Sequence, residues 1–276
     1  MKNIKIIFAL LCIFFISCEK VVDIDVPSID PKLIVDASFE VYFNESPVTA
    51  NVLVRLSLSA DYFDTLIPVV TNATVFLTDL SNGNIINFSD TNADGGFEPL
   101  TAFIPANDIT YELTVIHENE TYKGTATKIK STPLTNAFQG DETLFSGEET
   151  EVKIDFTDLN LEENFYLFDF TNNLYVTIED RFFNGEDYNF SYFYNEDNIE
   201  LPTIVDIKMS GVTKEYFTYF RVLVNQSGQS GGGPFETVPS SLLGNMINTT
   251  NEANFPLGYF HISETDIFTL ALVEKE

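Results

Sequence analysis

Glu151-Val152-Lys153-Ile154-Asp155-Phe156-Thr157 places Val152, Ile154 and Phe156 on one side of an extended chain and four polar residues on the other. Successive side chains of a strand point to opposite faces, so this run is a strand with one buried face. The same period recurs outward in both directions. Val52, Val54, Leu56 and Leu58 alternate with Leu53, Arg55, Ser57 and Ser59. Tyr111, Leu113 and Val115 alternate with Glu112 and Thr114, and Leu174, Val176 and Ile178 keep the habit. Tyr188, Phe190, Tyr192 and Tyr194 put four aromatic rings on one face. Ser81-Asn82-Gly83-Asn84, Ala93-Asp94-Gly95-Gly96 and Asn184-Gly185 supply the turns between such runs. The fold class predicted is all-β, with antiparallel strands.

One segment departs from period two. In Thr213 to Gln226, Tyr216, Phe220, Leu223 and Val224 fall near helical spacing, Thr213 is placed to cap and Glu215 lies in the first turn. Phe217, Tyr219 and Val222 blur the apolar face, which leaves a strand as the alternative; a short helix is the expectation. The polar, turn-rich stretch from Lys130 to Thr150 marks a boundary. The reading is two β-sandwich-like domains, 32–130 and 131–276, the second carrying the helix.

The N-terminus carries an address. Lys2 and Lys5 precede an apolar run from Ile6 to Ile16, and Ser17 precedes Cys18. That is the layout of a signal peptide over 1–17, and the run is too short to cross a bilayer, which takes ~20 residues. Phe15-Ile16-Ser17-Cys18 resembles a bacterial lipobox, which implies acylation of Cys18 and anchoring to a lipid bilayer. Residues 18–31, with Pro27 and Pro31, read as a tether between lipid and fold. The other cysteine, Cys12, falls within the signal, so no disulfide is expected and reductant should leave stability unchanged.

The formal net charge is −28, with 42 acids against 14 bases. Nucleic-acid binding, which needs Lys and Arg to neutralise phosphates, is excluded on that balance. With 44% apolar and 14% aromatic residues, the chain has a core rather than the composition of disorder. No catalytic set is expected. His117 and His261 are the two histidines, both placed at strand ends by the pattern. No His or Cys pair has zinc spacing, and no metal is assigned. Asp90, Asn92, Asp94 and Gly95 imitate the opening of a calcium loop, but Thr101 stands where the bidentate acid belongs, so a hairpin turn is the expectation. Ser227 to Gly233 lacks the Gly-Lys-Ser/Thr of a phosphate loop and reads as a mobile loop, with a partner-meeting role as the alternative; no cofactor is expected. The aromatics between Phe165 and Tyr194 read as core, with a half-exposed tyrosine row as the alternative.

Two resemblances extend this. Asn72-Ala73-Thr74-Val75-Phe76-Leu77, Asp94-Gly95-Gly96-Phe97, Tyr111 to Val115 and Thr121-Tyr122 resemble a transthyretin-like or carboxypeptidase-regulatory-like sandwich. Asp180 to Gly185, Gly233-Pro234-Phe235, Pro239, Gly244 to Asn248 and Leu257-Gly258-Tyr259-Phe260, behind a lipobox, are similar to an uncharacterised lipoprotein family of the Bacteroidota. That resemblance implies an outer-membrane location, facing the exterior, and a TonB-dependent receptor as partner; it implies no ligand. The expected function is a non-enzymatic accessory subunit in nutrient uptake, with the second domain meeting the receptor. A free-standing adhesion or structural lipoprotein and a carboxylate-based surface hydrolase are the alternatives.

Overall fold

The computed structural model describes residues 30–61, 64–144, 146–160, 162–227 and 242–274. Every element below belongs to one compact unit, Pro31–Ala60 with Thr65–Glu276. The stretch expected to be a signal peptide, Cys18 and most of the expected tether lie outside the described residues, as do residues 228–241.

β1 (Leu33–Tyr42) shows why the chain folds as it does. Leu33, Val35, Ala37, Phe39 and Val41 are all buried, and the residues between them face outward. β1 pairs antiparallel with β2 (Thr49–Leu58) on one edge and parallel with β15 (Leu257–Leu272), near the other end of the chain, on its second edge. From β2 the sheet continues through β5 (Gly96–Pro99), β4 (Ile85–Ser89), β3 (Thr74–Asp79), β6 (Thr110–His117) and β7 (Glu120–Ile129). β7 then pairs with β15 through Lys128↔Ile262 and Ile129↔Ser263, closing an eight-stranded, barrel-like ring. Its interior is filled by Val35, Ala37, Val54, Leu77, Leu113, Val115 and Phe260 rather than left as a channel.

Turn chemistry sets the hairpins. Glu118 and Asn119 both take positive φ, 50° and 65°, which is the two-residue geometry that matches strand twist, and His117 pairs with Glu120 across it. Gly258 has φ +90°, and a Cβ there would sit 2.1 Å from the Val35 carbonyl oxygen, so only glycine lets β15 approach β1 at that point.

The second half is a two-layer stack. β8 (Leu134–Gln139), β9 (Thr150–Thr157) and β12 (Asp187–Tyr194) form one sheet in the order β12-β9-β8. β10 (Phe165–Asp169), β11 (Tyr175–Glu179), β13 (Thr203–Val212) and the C-terminal half of β15 form the other. Val152, Ile154 and Phe156 of β9 meet Tyr166, Phe168, Ile207 and Met209 between the layers. Thr265 pairs with both Tyr42 and Ser210, so β13 leaves β15 on the edge opposite β1. A two-residue strand, β14 (Ile247–Asn248), adds to β7.

The mainly β reading with one helix holds among the described residues: α1 (Lys214–Gln226) starts where Thr213 accepts a hydrogen bond from the Tyr216 amide at 3.1 Å. Two expectations are corrected. The first half closes into a barrel-like sheet instead of a sandwich, because β15 returns to fill the edges of β1 and β7. His261 is not at a strand end but inside β15, which is 16 residues long. The polar run Ser263 to Asp266 hides that continuity in the sequence. In the fold Ser263 meets His261, Thr265 meets Ser210 at 2.8 Å, and Asp266 accepts the Leu134 amide at 2.8 Å.

Candidate functional site

The outer face of β1 carries Ile34 and Asp36, and the register puts Tyr259 beside Asp36. α1 lies over the same side of the sheet, turning Phe217 onto Phe165 of β10 at 5.1 Å between ring centres. Its neighbouring rings, Tyr216, Tyr219 and Phe220, face β1, β11 and β15 instead. Between them is a cleft of about 530 Å³, bounded by α1, Tyr175, Asp36 and Tyr259, with Gln226 and Leu242 at its rim. That volume lies within the range of small-molecule sites.

The rings brace one another. Tyr216 and Tyr219 each lie about 5 Å from Tyr259 (4.8 and 5.0 Å), and Phe220 meets the edge of Tyr175 at 4.9 Å. Burial pushes the Tyr216 hydroxyl pKa well above its ordinary value, reinforced by the Asp36 charge. Tyr219 and Tyr175 are pushed up to about 12 by burial, with nearby carboxylates, Asp36 among them, adding to it. These phenols are therefore neutral at physiological pH. Asp36 keeps contact with solvent at the mouth, yet the surrounding protein displaces enough water to raise its carboxyl pKa, opposed by Arg55 across on β2. Asp36 has no hydrogen bond or ion pair among the described residues.

Under the cleft, the His261 ring stacks on Tyr216 at 4.1 Å, and its Nδ1 lies 3.1 Å from Ser263 Oγ. Burial lowers the His261 pKa to about 4, with Glu40 pulling weakly the other way. Ser263 is fully buried. A shielded hydroxyl beside a weakly basic imidazole has neither the access nor the basicity of a nucleophile and its base. A smaller cavity, about 280 Å³, borders these residues from the β7 side, with Glu215 beside Tyr259 in its lining.

The chain matches the family described as Domain of unknown function (DUF4249) over residues 19–267. It belongs to that family. A search of the curated proteins finds no match. Two stretches quoted above as similar to a lipoprotein family occupy the barrel seam of this DUF4249 chain. Gly244 abuts the Gly258 carbonyl, and Asn245 bonds across the gap between β7 and β15. Its side chain donates to the Phe260 and Thr125 carbonyls and accepts the Phe260 amide at 2.8 Å.

The other residues singled out in the sequence go elsewhere. Cys18 lies outside the described residues, and so do 228–233 of the Ser227–Gly233 loop. Asp90 accepts the Asp94 and Gly95 amides, and Asp94 accepts the Gly96 amide at 2.9 Å, so these carboxylates hold the β4–β5 turn together. His117 ends β6, buried, with Nε2 4.0 Å from Glu118. The Tyr188–Tyr194 row packs inward: Tyr188 stacks on Phe183 and Tyr192 on Phe170, both at 3.9 Å, and Tyr194 is buried. Sequence reasoning missed Asp36, Tyr175 and Tyr259. The usable signal was the helix itself, whose aromatic residues are too many for one face.

Proposed function

We propose that this protein is a lipid-anchored, non-enzymatic binding subunit of the outer membrane that works with a TonB-dependent receptor in nutrient uptake. The observation that carries the binding role is the aromatic cleft, a recess held on two sides by strands and roofed by a capped helix. A recess of this size walled by aromatic rings has the make-up of a small-molecule site. Anchoring rests on Phe15 to Cys18, and the family match opens at residue 19, directly after that cysteine. The receptor as partner rests on the sequence resemblance.

Two measurements test this. Cys18→Ala should leave the precursor uncut or release the protein from membranes, read by fractionation and mass; a mature, membrane-bound mutant would overturn the anchor. Affinity purification of the wild type from detergent-solubilised membranes should bring down a TonB-dependent receptor. If no receptor accompanies it, the free-standing surface lipoprotein becomes the better reading.

A further inference from the structure

We propose that the cleft between α1 and β1 binds a small organic cation, an ammonium or guanidinium group on a compact apolar body, with Asp36 as its counter-ion. The inference rests on the cleft being the binding site of the function proposed above, and it names the ligand class.

Three features of the cleft converge. The walls are tyrosine and phenylalanine rings, and the negative face of an aromatic ring attracts a cation. Asp36, at the mouth of the cleft, offers a carboxylate that makes no hydrogen bond or ion pair among the described residues, and the protein around it displaces part of its water. A carboxylate so placed gains from an arriving cation and loses from a neutral ligand that would dry it further. The wider field has the same sign. Glu40 and Asp169 lie on the same sheet face, with Lys208 as the near cation; Lys208 is paired to Glu40 at 2.8 Å. The chain as a whole has formal charge −28, which draws cations toward the cleft and repels anions. Arg55, opposite Asp36 in register, is solvent-exposed and makes no ion pair with it. The size argues for a free small molecule: about 530 Å³ holds a ring and a short amine-bearing arm, not a folded segment.

The chain offers its own probe. It has no Trp and 12 Tyr, four of which line the cleft, so tyrosine emission reports occupancy. The full-length protein in detergent would be titrated with 2-phenylethylammonium and, separately, with 2-phenylethanol, its neutral counterpart of the same shape. Calorimetry would confirm the stoichiometry. The ammonium should bind about tenfold more tightly than the alcohol, and Asp36→Asn, with an unchanged melting temperature, should erase that preference. Tyr219→Ala should weaken both probes. Equal affinity for amine and alcohol, no binding of either, or an unaltered preference in Asp36→Asn would each overturn the proposal. Receptor co-purification is scored on the same Asp36→Asn protein. A retained receptor without any ammonium preference in the wild type sinks the cation inference alone, whereas an ammonium preference without a receptor sinks the receptor reading alone.

Discussion

Asn245 stands in for a strand residue where β7 and β15 separate. Its amide makes three hydrogen bonds to backbone groups of the two strands, and the Lys128–Glu264 ion pair spans the same seam farther along. Asn245→Ala leaves those groups without a partner, and a loss of about 2 kcal/mol is expected from urea unfolding. Two titrating residues divide the acid sensitivity into separate windows. His261 is held near 4, below its ordinary 6.5, by burial. Between those values the unfolded chain binds the extra proton, so the stability His261 contributes is whole above pH 6.5 and falls away toward pH 4. Glu120 is held near 2, below its ordinary 4.5, first by the Tyr122 hydroxyl and then by the Asn251 and Asn254 amides, with Asn248 adding a weaker contribution. Its contribution is whole above pH 4.5 and is lost toward pH 2. Melting temperature against pH should therefore slope less steeply from 4 to 6.5 in His261→Gln and from 2 to 4.5 in Glu120→Gln, where Glu149, also held near 2, keeps part of the slope. A mutant curve parallel to wild type in its window would refute that assignment.

At the scale of elements, α1 is both a cover for the sheet and a wall of the cleft. Thr213→Ala removes the cap hydrogen bond and should cost about 1 kcal/mol, seen as a lower urea midpoint, with weaker tyrosine-emission response to cleft ligands. The sequence showed this helix through Thr213, Glu215 and the spacing of Tyr216 and Phe220. It could not show why Phe217 and Tyr219 are also aromatic, because that depends on two different surfaces meeting the helix: Phe165 on one side and Tyr259 on the other. The strands were legible wherever a run met water on one face, as β2 and β9 do. β15 was not, since Ser263 and Thr265 are fully buried polar residues satisfied by partners distant in sequence or hidden in the same strand. Alternation reads such residues as exposed and ends the strand early.

For the whole molecule, alternation is blind to closure. An inward-outward period looks the same in a sandwich and in a barrel, and the choice is made by which strands pair, here β1 with β15 and β15 with β7. The site was illegible for the same reason: Asp36 and Tyr259 are neighbours only through that pairing. Residues 30–130, expressed alone, lack β15 and keep two unpaired edges. They should give a collapsed amide proton spectrum, while the chain from residue 19 to 276 gives a dispersed one; a well-dispersed spectrum from the short piece would show that the barrel half is self-sufficient.

The β1–β15 pairing also sets a timetable. A chain delivered from its N-terminus has the β1–β2 hairpin early, but the second edge of β1 stays open until residues 257–265 arrive. Contacts that far apart in sequence form slowly, and an open strand edge in the meantime is a template for neighbouring chains. Asp36 and Glu40, projecting from that waiting edge, give it like charge against its copies. The nascent protein is therefore most exposed to aggregation in the interval just before its last strand is delivered, and the carboxylate that faces the cleft in the finished fold has an earlier task as a guard.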